Sequence, residues 1–179
     1  MNNKIKQAAK ILKNGGVIAF PTETVFGIGA LLKDKKAIKR IFKIKNRPIS
    51  KPLQILVRSF EEAQELGVFD DKTLAFAKKK WPGPYTLIVP KTKKVSKLIT
   101  GGLETVGLRI PDHKTILQLI KLCGPIVATS ANQAGENPAL TAKEVKKILP
   151  AVDFILPGRI KHGKASKVID LANGKILRT

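Results

Sequence analysis

The sequence is poor in the residues that most often announce a chemistry. It has one cysteine, Cys123, two histidines and only 5% aromatic residues. A single cysteine excludes an internal disulfide and gives no sign of an oxidising compartment. His113, His162 and Cys123 have no metal-ligand spacing, so a protein-built metal cage is not expected. Cys123, set between Leu122 and Gly124, reads as a small core residue rather than a nucleophile. No apolar run is long enough for a membrane helix. The opening residues, Met1-Asn2-Asn3-Lys4, lack the apolar stretch of a signal peptide, and the expected location is the cytoplasm. Walker A and Gly-x-Gly-x-x-Gly sequences are both absent. Acids are scarce too: 13 Asp and Glu against 34 Lys and Arg leave a net charge of +21.

What is present is a chain of 179 residues with 43% hydrophobic content, enough for one domain over 1–179 with a core of Ile, Leu, Val and Ala. The charge is compatible with a polyanionic partner and equally with a generally lysine-rich surface, because net charge speaks to partners and not to fold. It is unevenly spread. The stretch 33–51 is strongly basic around one acid, Asp34, whereas Glu61, Glu62, Glu65, Asp70 and Asp71 lie together.

Periodicity predicts helices over 4–13, 35–45, 71–80 and 114–122, with Ile5, Ala8, Ala9 and Leu12 forming the stripe of the first. Ser59-Phe60-Glu61-Glu62 and Thr141-Ala142-Lys143-Glu144 have the form of capping boxes opening two more helices. Strands are predicted over 17–20, 53–57, 85–89, 106–110 and 126–129, with short closing strands over 154–156, 168–171 and 175–177. Residues 21–29 read as a hydroxyl-rich loop punctuated by Gly27 and Gly29, and 158–167 as a mobile loop. Helices and strands mix without strict alternation, which predicts an α/β fold with a mixed sheet.

The chemistry then rests on polar residues at predicted strand ends, where ligands of open sheets gather. Thr22 and Thr24 follow the first strand. Ser130 and Asn132 follow the strand over 126–129, in a segment that could also only cap a turn. Arg109 is embedded among apolar residues and needs an anion, either a ligand carboxylate or a protein acid such as Glu104. Lys45 and Arg47 precede Pro48, which would stop the helix and set two cations at one corner, in reach of phosphate oxygens; the alternative is a solvated helix end.

Taken together, these segments resemble the YrdC/TsaC family, the threonylcarbamoyl-AMP synthases. The matching stretches are Pro21-Thr22-Glu23-Thr24-Val25-Phe26-Gly27-Ile28-Gly29-Ala30, Lys45-Asn46-Arg47-Pro48 and Trp81-Pro82-Gly83-Pro84-Tyr85-Thr86. Val106-Gly107-Leu108-Arg109-Ile110-Pro111, Ser130-Ala131-Asn132 with Gly135, and Ser166-x-Val168-Ile169-Asp170 follow in the same order. The length matches the short members of the family.

The resemblance implies a twisted mixed sheet with flanking helices around a positively charged cavity. It implies a nucleotidyltransferase that joins L-threonine, bicarbonate or CO2, and ATP into threonylcarbamoyl-AMP and releases pyrophosphate. Mg2+ would arrive with ATP. The product would serve threonylcarbamoyladenosine modification of tRNA through a downstream threonylcarbamoyl-transferase complex. By the same resemblance Lys45 and Arg47 are catalytic. Lys45, Arg47, Thr105, Ala128, Ser130, Asn132 and Arg178 hold ATP, and Thr22, Arg109 and Ser166 hold threonine. Phe26, Thr129 and Lys167 depart from the usual tyrosine, proline and threonine; none of these removes a charge.

Two other readings compete. A non-catalytic module binding double-stranded RNA or tRNA would use the basic run, with salt-sensitive affinity and no need for threonine. The scarcity of aromatics argues against a single-strand stacking platform. A carbamoyl-transfer domain related to hydrogenase maturation would share the fold, but the chain lacks the additional domains such proteins carry.

Overall fold

A computed structural model describes residues 3–179. The stripe Ile5, Ala8, Ala9 and Leu12 is the buried face of α1 (Asn3–Lys13). In α2 (Lys35–Ile44), Ala37, Ile38, Ile41 and Phe42 point inward while Lys35, Lys36, Lys39 and Lys43 stay in solvent. The other helices are α3 (Phe60–Leu66), α4 (Asp71–Lys80), α5 (Lys97–Thr100), α6 (Lys114–Cys123) and α7 (Ala142–Ile148). Ser59 and Thr141 cap α3 and α7 as predicted, each accepting the backbone N–H three residues on.

The strands are β1 (Ile18–Pro21), β2 (Phe26–Leu31), β3 (Gln54–Leu56), β4 (Tyr85–Pro90), β5 (Thr105–Arg109), β6 (Ile126–Ser130), β7 (Phe154–Ile155), β8 (Lys167–Asp170) and β9 (Lys175–Arg178). They form one twisted sheet in the order β7-β1-β2-β6-β3-β5-β4-β8-β9. Three neighbouring pairs, β1 with β7, β3 with β5 and β4 with β8, are parallel, and the rest antiparallel. The sheet is therefore mixed, as the sequence predicts.

β2 corrects the sequence reading. Phe26-Gly27-Ile28-Gly29-Ala30-Leu31 is a fully paired strand inside the sheet, not part of a loop. Its glycines answer to crowding rather than to a turn. A Cβ on Gly29 would lie 2.6 Å from the Val127 carbonyl and 2.7 Å from Ile126 Cγ2. The loop proper is only Thr22 to Val25, between the paired residues Pro21 and Phe26.

Side chains alternate across the sheet. Ile18, Phe20, Leu56, Ile126 and Ala128 pack on one face with α1 and α6. Ala19, Ile28, Ile55 and Val127 pack on the other, against α2 and its neighbours. The first face is covered over only part of its area. Beyond that cover its inward residues, Gln54, Thr86, Gly107, Arg109 and Ser130, line a cavity. Among the described residues, no helix is long and apolar enough to cross a membrane.

Candidate active site

The cavity measures about 300 Å3, and among the described residues no Asp or Glu lines it. Three arginines do: Arg47, Arg109 and Arg178. Each is fixed through its Nε and Nη2. Arg47 donates to the Lys51 and Pro52 carbonyls at 3.4 and 2.9 Å. Arg178, at the rim, donates to the Ser166 carbonyl at 2.8 Å and to Ser166 Oγ at 3.0 Å. Arg109 donates to the Gly83 carbonyl at 3.1 Å, to Glu23 Oε1 at 2.6 Å and to Thr24 Oγ1 at 3.1 Å. No described residue accepts from Nη1 of any of the three. Burial lowers the affinity of Arg178 for its proton, and the nearby Arg109 and Arg47 lower it further. Arg178 therefore feels both of the other guanidiniums, a field that an anionic ligand would relieve.

Arg109 is 2% exposed and its partner Glu23 is fully buried. The protein acid is thus not Glu104, which lies before β5 and instead pairs with Lys91 and Lys97 at 3.3 and 3.4 Å. Arg109 closes the strand that Glu104 precedes, so an extended backbone separates the two. Burial pushes the Arg109 pKa down, and the Glu23 carboxylate opposes that push. No described residue hydrogen-bonds Glu23 Oε2. The Glu23 backbone carbonyl receives the N–H groups of Lys161 and His162, and the Thr24 carbonyl that of Gly163. Residues 158–167, read from the sequence as mobile, are therefore strapped onto the turn that carries Glu23. The strap also carries Ala165 and Ser166 to the cavity.

Thr22 lines the cavity, but its hydroxyl serves the turn. It donates to the Val25 carbonyl at 2.7 Å and accepts the Thr24 and Val25 N–H groups at 3.2 and 3.3 Å. Thr24 Oγ1 lies 2.8 Å from it. With the single Thr22 proton on Val25, Thr24 is the donor in that contact. A chain of hydrogen bonds thus runs from Arg109 through Thr24 and Thr22 into the backbone.

Lys45 and Arg47 do not form one two-cation corner. α2 ends in a Schellman motif: Asn46, at φ 48°, donates its N–H to the Lys43 carbonyl, and the Arg47 N–H reaches Phe42. The left-handed residue, not Pro48, ends the helix, and the flanking side chains take different partners. Arg47 faces the cavity. Lys45 is 1% exposed and lies behind the wall. Its Nζ donates to the Ser130 carbonyl at 2.6 Å, to Asn132 Oδ1 at 2.8 Å and to the Asn132 carbonyl. Burial and the nearby Arg47 push its pKa down to about 7. Three oxygen acceptors for three N–H bonds oppose that push, and the ammonium is the form this site holds.

Asn132 is equally occupied. Its Oδ1 also accepts from Ser130 Oγ at 2.6 Å, and its Nδ2 donates to the Gln133 and Glu136 carbonyls at 2.8 and 2.7 Å. Of the residues proposed for ligand contact, Thr22, Arg47, Thr105, Ala128, Ser130, Ser166, Arg109 and Arg178 line the cavity, whereas Lys45 and Asn132 stand behind it.

The structure adds Glu23, Gln54 and Thr86, which the sequence reading assigned no role, and ties Thr24, named there only as a strand-end residue, to Arg109. Glu23 lies within the motif that carries Thr22, and Thr86 ends the Trp81–Thr86 stretch, so the motifs themselves held a signal for two of the three added residues. Outside the cavity, burial raises the Cys123 thiol to about 11. Its Sγ donates to the Leu119 carbonyl, as suits an inert core cysteine. Among the described residues, no three His, Cys, Asp or Glu side chains are grouped to hold a metal ion.

This fold and these motifs have matches among known proteins. A family model named for Sua5, YciO and YrdC, and described as telomere recombination, matches residues 10–179. The chain belongs to the Sua5/YciO/YrdC family. A Pyrococcus abyssi relative, threonylcarbamoyl-AMP synthase, is 42% identical over 172 residues, 94% of this chain and 51% of that protein. The chain thus spans about half the length of this curated relative. The crystal structure of P. abyssi Sua5 complexed with L-threonine superposes with a TM-score of 0.89 at 42% identity, covering 94% of this chain and 51% of the other. Escherichia coli YciO superposes with a TM-score of 0.85 at 29% identity, covering 97% of this chain and 87% of its own. The Sua5/YciO/YrdC fold is therefore present across nearly the whole chain, with its cavity on the partly covered sheet face.

Proposed function

We propose that the protein is a threonylcarbamoyl-AMP synthase, a nucleotidyltransferase acting on L-threonine, bicarbonate or CO2, and ATP. The observation that carries this reading is the cavity with three anchored arginines, free Nη1 groups and no lining carboxylate. Such a site suits a ligand bearing several anionic groups. The similarity to a synthase and to a threonine-bound structure supports the choice of substrates.

In this reading Arg109 takes the threonine carboxylate through Nη1, its other nitrogens being held by Gly83, Glu23 and Thr24. Arg47 and Arg178 take phosphate oxygens, while Thr105 and Ala128 flank the nucleoside. Ser130, whose proton goes to Asn132, can only accept, and so meets a ligand hydroxyl or amine. Lys45 and Asn132 act as positioning residues, holding the turn that presents Ser130. Thr22 shapes the turn beneath Arg109.

The threonine amine adds to CO2 and loses a proton, giving a carbamate. A carbamate oxygen then attacks the α-phosphate of ATP, and pyrophosphate leaves. No enzyme nucleophile is needed. The protein contributes proximity and a fixed positive field at the phosphates. The cavity lining offers no carboxylate as a metal ligand, so Mg2+ accompanying ATP would be held through phosphate oxygens. A cytoplasmic location and a downstream threonylcarbamoyl-transferase complex acting on tRNA belong to the same reading. The RNA-binding alternative is not favoured by the relatives.

The test is pyrophosphate release from ATP with Mg2+ present. Release that needs both threonine and bicarbonate is expected; release no greater than with ATP alone would sink the proposal.

A further inference from the structure

The cavity floor carries a hydrogen-bond chain that runs across the sheet from β3 to β9, over β5 and β4 and past the start of β8. Thr86 Oγ1 donates to Gln54 Oε1 at 2.6 Å. Thr86 Oγ1 also lies 2.9 Å from Ser166 Oγ. A threonine hydroxyl has one proton, and here Gln54 takes it, so Ser166 is the donor in the second contact. Ser166 Oγ in turn accepts from Arg178 Nη2 at 3.0 Å. The chain has one direction, Arg178 to Ser166 to Thr86 to Gln54. Thr86 is 3% and Ser166 2% exposed, so water does not compete with it.

Gly107 makes the crossing feasible. β5 runs between β3 and β4, with Gly107 paired to Gln54 on one side and to Ile88 on the other. A Cβ on Gly107 would stand 3.1 Å from Thr86 Cγ2 and 3.7 Å from Gln54 Cβ. With only hydrogen at that position, Thr86 and Gln54 meet over the top of the intervening strand.

The chain determines what Ser166 can recognise. Its proton is held by Thr86 and one lone pair by Arg178, which leaves a single acceptor site toward the cavity. The adjacent guanidinium disfavours a second cation at that oxygen, so a neutral donor fits better than an ammonium. We infer that Gln54 and Thr86 are positioning residues that lock Ser166 as a hydrogen-bond acceptor for the side-chain hydroxyl of the amino-acid substrate. Resting on the synthase reading, this makes them specificity determinants for a β-hydroxy amino acid against its methyl isostere, L-valine. An acceptor left without a donor in a dry site penalises valine, whereas a serine free to rotate would tolerate both.

The experiment is calorimetric titration of the protein with L-threonine and with L-valine, and separately with ATP. The wild type should prefer threonine. Thr86→Val should weaken threonine binding about tenfold and erase most of the preference, with ATP affinity unchanged. Thr86→Ser, which keeps the hydroxyl, should retain the preference. Should Thr86→Val not fold, Gln54→Leu removes the terminal acceptor and must also erode the preference. An undiminished threonine preference in Thr86→Val or Gln54→Leu, or its loss in Thr86→Ser, overturns the inference. A wild-type protein that binds no threonine would instead sink the synthase reading, so the two failures are distinct.

Discussion

The two ends of the cavity hold their cations in opposite ways. At the Arg109 end, a buried guanidinium sits 2.6 Å from the buried Glu23 carboxylate. At the Arg47 and Arg178 end, the guanidiniums are held by carbonyl and hydroxyl oxygens alone. One end is nearly neutral and the other keeps its full positive charge. In the proposed reaction, a zwitterionic amino acid meets the neutral pair and a polyphosphate meets the unpaired charge. The same residue type thus serves two substrates, distinguished by what holds its remaining nitrogens.

The largest effect expected from disturbing this division is at Glu23. Glu23→Ala leaves the Arg109 guanidinium buried without its counter-charge, which should cost about 3–5 kcal/mol of stability. Denaturant unfolding checks this, and the neutral Glu23→Gln should lose less because it keeps an acceptor. The next effect is at Lys45. Lys45→Met should cost about 1–3 kcal/mol by stranding the Ser130 and Asn132 oxygens. Arg47→Met, on a residue that faces the cavity, should leave the melting temperature close to wild type. Equal losses in both would restore the picture of two equivalent cations.

Salt should separate the two ends further. ATP binding should weaken several-fold between low and physiological ionic strength, because it rests on unpaired charge near solvent. Threonine binding at the buried, compensated pair should change little. Titrations at two salt concentrations would show it.

The smallest effect lies outside the cavity, at Asp153. Its carboxylate accepts from Arg40 at 2.9 Å and from the Val17 N–H at 2.7 Å, and these lower its pKa, against a smaller desolvation penalty. A carboxylate with a depressed folded-state pKa stabilises above its unfolded pKa and loses that contribution as pH falls through the folded value. Both partners are partly exposed, so Asp153→Asn should cost under about 1 kcal/mol at neutral pH. The difference from wild type should vanish in acid, a pattern that melting curves across pH would reveal.

Much of this arrangement is legible in the sequence where one residue type has one use. The apolar stripe of α1 and the capping residues Ser59 and Thr141 are local signals, and each lies where its spacing requires. Arg109, isolated among apolar neighbours, announces its need for an anion. What stays hidden is relational. Gly27 and Gly29 look like turn residues until Phe20 of β1 crowds the first and the Val127 carbonyl and Ile126 side chain of β6 crowd the second. Lys45 and Arg47 look equivalent until the left-handed Asn46 turns one inward. Glu23 is one acid among several until the β1–β2 turn lays it against Arg109. Gln54 and Thr86 acquire meaning only across the missing side chain of Gly107, a contact between strands far apart in the chain.

The division of the cavity is most directly tested by measuring the threonine and ATP dependence of pyrophosphate release in Arg109→Ala and Arg47→Ala side by side. The account predicts a crossed result: Arg109→Ala raises the KM for threonine and largely spares that for ATP, and Arg47→Ala does the reverse. Both variants impairing the same substrate, or neither impairing any, would contradict it.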